Sequence, residues 1–168
     1  MMALENEKSL VGYCGLYCGD CHGFNGRIPD LARDLREELR KSRYDLFAEF
    51  MSQSPFGKDF QDYDDCYRVL GAMVRFRCRK GCRNGGGNPA CKIRKCAQKK
   101  GFEGCWMCQD FEKCKNLEFL VAVHGDAHKK NLRGIKRNGL KPFIEGKRLW
   151  YSPAKTSDNC ETQKQNKA

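Results

Sequence analysis

Ten of the twelve cysteines in this 168-residue chain lie in two clusters with short spacings. The first cluster is Cys14-x3-Cys18-x2-Cys21, and the second is Cys78-x3-Cys82-x8-Cys91-x4-Cys96-x8-Cys105-x2-Cys108-x5-Cys114. Two cysteines separated by a few residues can place both thiolates on one ion, because the backbone between them forms a tight knuckle. Ten thiols suffice for two tetrahedral sites with two thiols left over. The spacing therefore predicts metal binding, with these ten cysteines as the candidate ligands.

Zinc is the metal that the pattern favours, with about two ions per chain, each held in a closed and structural thiolate site. Binding of such an ion contributes about 10–16 kcal/mol in small peptides, which is comparable with the whole stability of a domain, about 5–15 kcal/mol. An iron–sulfur cluster is the alternative, since thiolates also hold clusters. The first cluster has the spacing of radical-SAM enzymes, but 168 residues are too few for their barrel domain.

The two cysteines outside the clusters are predicted to have no metal. Cys66 lies within an apolar helical stripe, where a lone cysteine is most often a small buried side chain. Cys160 lies in a polar segment and is predicted to be a free thiol.

The three histidines are secondary ligand candidates. His22 directly follows Cys21, while His124 and His128 are four residues apart, with Gly125 between them predicting a helix break. No phosphate-binding loop is present, because the glycines at 85–87 lack the Gly-Lys-Ser/Thr ending. The catalytic residues are unknown, no cofactor-binding motif is found, and the sequence favours a protein that is not an enzyme.

The stretches between the cysteine clusters carry helical periodicity. Leu31, Leu35 and Leu39 predict a helix over residues 28–51, and Tyr63, Tyr67 and their neighbours predict another over 59–76. The other expected elements are a cysteine-rich loop at 11–26, a cysteine-rich segment at 78–114, C-terminal helices at 115–139 and a cap at 140–151. The predicted fold is a single metal-binding domain over 1–151, mainly α with few or no strands, followed by a disordered tail at 152–168.

Composition bounds the compartment and the partners. The start of the chain carries Glu5 and Glu7 and lacks the apolar region of a secretory signal, and no apolar run is long enough to span a bilayer. We therefore expect a cytoplasmic protein with reduced thiols and no membrane contact. The net charge is +11, and two tetrathiolate zinc sites would leave about +7. The partner is expected to be an unknown protein or a nucleic acid.

Several motifs occur in an order that resembles the domain-of-unknown-function family 3795. They are YCGLYCGDC at 13–21, CKIRKCA at 91–97, CWMC at 105–108, and the segment at 131–139. The resemblance spans roughly residues 11 to 150 and implies a prokaryotic metal-binding protein without an established activity. It also implies that the same ten cysteines are the ligands, although three residues separate Cys78 from Cys82 where the family pattern suggests two.

The sequence therefore predicts a zinc-stabilised binding or adaptor module. Two alternatives remain open at this point, an iron–sulfur or thiol redox protein and a nucleic-acid-binding zinc protein. Spacing along the chain does not determine which cysteines share an ion, and it does not give an oligomeric state.

Overall fold

The computed structural model describes residues 7–152. Nine α-helices have both ends in this range: α1 (His22–Asn25), α2 (Arg27–Lys41), α3 (Tyr44–Ser52), α4 (Tyr63–Arg75), α5 (Lys92–Lys99), α6 (Lys115–Glu118), α7 (Val121–His124), α8 (Ala127–Asn138) and α9 (Leu140–Glu145). Four short 3-10 turns accompany them, at Cys18–Asp20, Lys58–Asp62, Cys105–Met107 and Phe111–Lys113. Within 7–152 there is no strand, only an isolated antiparallel bridge between Val11 and Tyr17. The mainly α fold class is confirmed.

The chain divides into two compact units. Among the described residues, the core unit consists of residues 7–17 together with residues 90–152, and the inserted unit consists of Cys18–Pro89 between them in the sequence. The single domain predicted over 1–151 stays a prediction. No helix in the part of the chain that the structure describes is long and apolar enough to cross a membrane.

The core unit encloses a continuous apolar cluster. Its largest fully buried apolar side chains are Leu117, Leu132 and Val11, and Trp106 and Phe111 extend the cluster. Buried Asn131 connects distant parts of this unit, because its amide nitrogen donates to the carbonyls of Gly15 (2.9 Å) and Leu149 (2.7 Å). These bonds satisfy a buried polar group while fixing the loop that precedes the inserted unit.

The inserted unit is a helical hairpin with little apolar burial. Helices α2 and α4 pack on each other, and the Arg36 guanidinium donates to the Tyr67 carbonyl at 2.9 Å. A half-exposed group of aromatic rings connects α3 to the start of α4. The only apolar side chains of this unit that are buried among the described residues are Pro29, Ala32 and Ala48.

The helix predicted over 28–51 is two helices in the structure. Ser42 ends α2, where its hydroxyl donates to the Glu38 carbonyl at 2.9 Å. Arg43 then adopts φ 51°, a left-handed conformation that stops a helix. A side chain that bonds the carbonyl of the preceding turn competes with the regular helix ladder in this way.

The remaining predicted elements are also shorter in the structure. The predicted helix at 59–76 is the 3-10 turn Lys58–Asp62 followed by α4, and the predicted helices at 115–139 are α6, α7 and α8. The predicted cap at 140–151 contains α9. Of the tail predicted at 152–168, only Ser152 is described; it is buried and its N–H donates to the His124 carbonyl at 3.1 Å. The rest of that segment, with Cys160, lies outside the described residues.

Candidate metal centres

Four of the predicted ligands lie in the inserted unit. Cys18 and Cys21 bracket the 3-10 turn Cys18–Asp20, and Cys78 and Cys82 follow the end of α4. The Cys82 N–H donates to the Cys18 sulfur at 3.3 Å, and the Cys78 N–H donates to the Gly23 carbonyl at 2.9 Å. The backbone thereby joins the two short cysteine pairs, which are separated by about sixty residues of sequence.

Two glycines leave room for these sulfurs. A Cβ on Gly86 would lie 2.7 Å from the Cys78 sulfur, closer than van der Waals contact allows. A Cβ on Gly23 would lie 3.8 Å from both the Cys21 sulfur and the Cys78 Cβ, and 2.7 Å from the Phe76 carbonyl. Glycine is therefore required at position 86 for the close approach to the Cys78 sulfur, and at position 23 for the close approach to the Phe76 carbonyl.

The thiols of this group differ in their pKa. The pKa of Cys18 is raised to about 11, mainly by burial and in part by the neighbouring thiols of Cys82, Cys21 and Cys78, while the hydrogen bond from the Cys82 N–H opposes this shift. For Cys78, burial alone would raise the pKa, but N–H groups of Lys80, Gly81 and Gly87 lower it below its usual value. The environment at Cys78 therefore favours a thiolate, the form that binds metal.

The core unit contains a second group of thiols. Four cysteines, Cys96, Cys105, Cys108 and Cys114, line a cavity of about 160 Å³ together with Phe102 and Phe111. The pKa of Cys105 is raised to about 12, mainly by burial and in part by the neighbouring thiols of Cys114, Cys108, Cys96 and Cys91. Five thiols are therefore electrostatically coupled within this unit.

Cys14 belongs to the core unit, because the boundary between the units falls between Tyr17 and Cys18. The carbonyl of the preceding Tyr13 accepts the Cys105 N–H at 2.8 Å. The first sequence cluster is thus divided, with Cys14 in one unit and its two neighbours in the other.

The other residues considered as ligands, Cys66 and the three histidines, differ in their surroundings. Cys66 is exposed, so its predicted burial is wrong. The His22 side chain is also exposed, and the His124 Nδ1 lies 2.8 Å from the Trp150 carbonyl. His128 is fully buried and neither ring nitrogen has a hydrogen-bond partner. Burial lowers the pKa of His128, and the Gly125 carbonyl opposes this shift without making a hydrogen bond of normal geometry.

The thiol donors suit soft metals, but their side chains are not arranged around a common point. All eleven cysteines within residues 7–152 are free thiols. Over the same residues, no three His, Cys, Asp or Glu side chains are arranged to hold an ion. Groups of thiols without carboxylates are the donor chemistry of zinc and of iron–sulfur clusters. The two cysteine groups therefore fit these metals by the chemistry of their donors, and not by the present arrangement of their side chains.

Comparison with known proteins gives one match. Residues 10–119 match the family described as "Protein of unknown function (DUF3795)", which covers well over half of the chain and confirms the resemblance seen in the motifs. No curated protein matches the sequence, and no solved structure matches the fold.

Proposed function

The chain belongs to this family of unknown function, and on that premise we propose that it is a thiolate metal-binding module with one structural zinc site in each compact unit. The inserted unit supplies Cys18, Cys21, Cys78 and Cys82. The core unit supplies its ligands from Cys14, Cys91, Cys96, Cys105, Cys108 and Cys114. Together these are the ten cysteines predicted from the sequence.

One observation carries the proposal, namely that the cysteines separate into two groups that each contain at least four thiols. In the inserted unit the four thiols come from two pairs at knuckle spacing, which are joined by the hydrogen bond from Cys82 to Cys18. Four thiolates fill all positions of a tetrahedral ion and leave none open for a substrate. The bound ion would supply folding energy rather than catalysis, and a reducing compartment such as the cytoplasm keeps such thiols available.

A second candidate applies to the core unit alone. Its cavity of about 160 Å³ is lined by four cysteines and two phenylalanines. A water molecule occupies about 30 Å³ of liquid, so this space exceeds what a single ion needs. Thiolates around an apolar space of that size also suit an iron–sulfur cluster, which would make this unit a redox centre.

Metal analysis of anaerobically purified protein tests both candidates. We expect a colourless protein with about two zinc ions per chain. A brown protein with iron and sulfide would instead support the cluster. Protein that is fully folded and free of metal after reduction, and that does not respond to chelators, would refute both.

Single variants test the grouping of ligands. Cys21→Ser should reduce the metal content by one equivalent, and Cys108→Ser should remove the other equivalent. Cys66→Ser is the matched control, because this cysteine is exposed and lies outside both groups. If Cys66→Ser reduced the metal content as much as Cys21→Ser, the grouping would be wrong.

A further inference from the structure

The inserted unit has a strongly basic segment that the metal sites do not explain. Residues 66–89 contain six arginines and lysines and no aspartate or glutamate. This segment includes the second half of α4 and the loop that carries Cys78 and Cys82. A concentration of positive charge without intervening acid is typical of a surface that binds phosphates.

Two cavities meet along this segment, and we call them together the basic groove. The first is about 310 Å³ and is lined by arginines of α2, among them Arg36 and Arg40, and by Tyr67 and Arg75 of α4. The second is about 740 Å³ and is lined by Arg75, Phe76, Arg79 and the glycine-rich loop. Arg75 lines both cavities, so the two cavities adjoin at that residue.

The groove contains both paired and unpaired cations. Arg33 and Arg77 line it and pair with Asp30, at 3.2 Å and 3.6 Å. Outside the groove, Arg43 pairs with Asp45 (3.1 Å) and Arg68 with Asp65 (3.0 Å). The only carboxylate that lines the groove, Glu37, is paired with Lys41 at 3.0 Å. By contrast, within residues 7–152 the guanidinium groups of Arg40, Arg75 and Arg79 make no ion pair. Their donors are free for a ligand.

One arginine of the groove is held in place. The Arg36 guanidinium lies 4.1 Å from the centre of the Tyr67 ring and donates to the Tyr67 carbonyl. A Cβ on Gly71 would clash with the Arg36 guanidinium, so any larger residue there would displace this group. A fixed guanidinium loses less conformational entropy when it binds an anion than a mobile one does.

An exposed aromatic ring lies among these cations. Phe76 follows the last residue of α4, is 77% exposed and lines the second cavity. A flat apolar ring in a basic groove is the arrangement on which an unpaired base stacks. A base can reach such a ring only when it is free of a duplex, so the combination distinguishes single strands from double strands.

We infer that the basic groove binds single-stranded nucleic acid, with phosphates on Arg40, Arg75 and Arg79 and a base stacked on Phe76. This inference goes beyond the proposed metal-binding function, because the groove donors are not metal ligands. The affinity has two separable components, a salt-dependent one from the cations and a stacking one from Phe76.

Fluorescence anisotropy with a labelled oligothymidylate of about 12 nucleotides tests this inference on the full-length, metal-loaded chain. Phe76→Ala should weaken binding about 5- to 150-fold, the equivalent of about 1–3 kcal/mol per stacked base. Phe56→Ala is the matched control, since Phe56 is 85% exposed in the same unit and lines neither cavity. Arg75→Ala should lower the slope of log affinity against log salt by about 0.7, whereas Arg68→Ala should leave it unchanged.

Three results would overturn the inference. They are equal affinities for the Phe76→Ala and Phe56→Ala variants, tighter binding of duplex than of single strands, and binding of inorganic polyphosphate as tight as that of the oligonucleotide. Metal content measured on the same samples separates the two proposals. A metal-free chain that still binds through Phe76 would refute the metal module alone, and a zinc-loaded chain without affinity would refute the groove alone.

Discussion

Removal of metal should unfold the inserted unit selectively. Its buried apolar side chains among the described residues are Pro29, Ala32 and Ala48, which contribute about 4 kcal/mol at about 0.8 kcal/mol per buried carbon. The ring contacts around Tyr44 add about 0.5–1.5 kcal/mol each. An ion on four thiolates contributes about 10–16 kcal/mol in small peptides. Loss of the ion therefore removes the largest stabilising contribution in this unit.

In the core unit, apolar burial contributes more to stability than it does in the inserted unit. Leu117 and Leu132 are fully buried, and Ile93 and Ile144 are nearly so. Each such side chain contributes about 1.5–3 kcal/mol. We therefore expect this unit to retain much of its structure when it loses its own metal.

Hydrogen exchange with mass spectrometry, before and after chelation under reducing conditions, measures the difference. Amides of α2, α3 and α4 should exchange as in an unfolded chain once metal is removed, while amides of α8 should remain protected. Cys21→Ser should reproduce the chelated pattern in α2 to α4, and Cys66→Ser should match the untreated protein. Unchanged protection in α2 to α4 after verified metal loss would refute the reasoning, as would simultaneous loss of protection in α8.

Three further outcomes follow from individual side chains. In metal-free protein near pH 7, iodoacetamide should modify Cys105 about 30- to 60-fold more slowly than an ordinary thiol. Mainly through burial, the pKa of Cys105 is raised to about 12, which lowers its thiolate fraction, and the higher nucleophilicity of that thiolate compensates only in part. Mass spectrometry measures the two rates, with exposed Cys66 as the reference. Burial lowers the pKa of His128, so the unfolded state binds more protons and stability falls as the pH drops below about 6.5. Chemical denaturation should therefore show that the free energy of unfolding decreases less between about pH 7.5 and pH 5.5 in His128→Leu than in wild type. Gly71→Ala should stabilise the helix by about 1 kcal/mol through higher helix propensity. The added Cβ should also displace Arg36, and the loss of the Arg36 hydrogen bond and ring contact should cost a comparable or larger amount. Thermal denaturation should therefore show no net stabilisation.

Each of these outcomes has its own contradiction. Equal rates of alkylation at Cys105 and Cys66 would show that Cys105 is not buried, and identical pH dependence in His128→Leu would show that the buried ring does not control stability. For Gly71→Ala, the comparison is Gly134→Ala in α8, where an added Cβ meets no atom within 4 Å and should stabilise by about 0.5–1 kcal/mol. Equal stabilisation by Gly71→Ala and Gly134→Ala would show that the Arg36 guanidinium does not lie against Gly71.

The fold class and the positions of the main helices could be predicted because apolar residues recur at helical spacing. The break at Arg43 could not, since it depends on a serine hydroxyl that bonds the preceding turn and on a left-handed residue. Cys66 shows a second limit. Periodicity identifies an apolar stripe but not whether another element covers it, and the stripe that also carries Val69 and Met73 is exposed.

The candidate site could be predicted as a set of ligands but not as groups of ligands. Sequence spacing joins Cys14 to Cys18, whereas the unit boundary separates them. The association of Cys18 with Cys82 depends on a hydrogen bond between segments that are far apart in the chain. The groove could not be found from charge alone, because only the structure shows which cations are already paired with acids.

The insertion of residues 18–89 within the core unit has a consequence for biosynthesis. A ribosome releases all four cysteines of the inserted unit before it has made the helix that carries Asn131. The Asn131 side chain bonds the Gly15 carbonyl. The segment around Gly15 can therefore form this bond only after more than a hundred further residues have been synthesised. Nascent chains should acquire protease resistance first in the middle of the sequence and only later at its beginning.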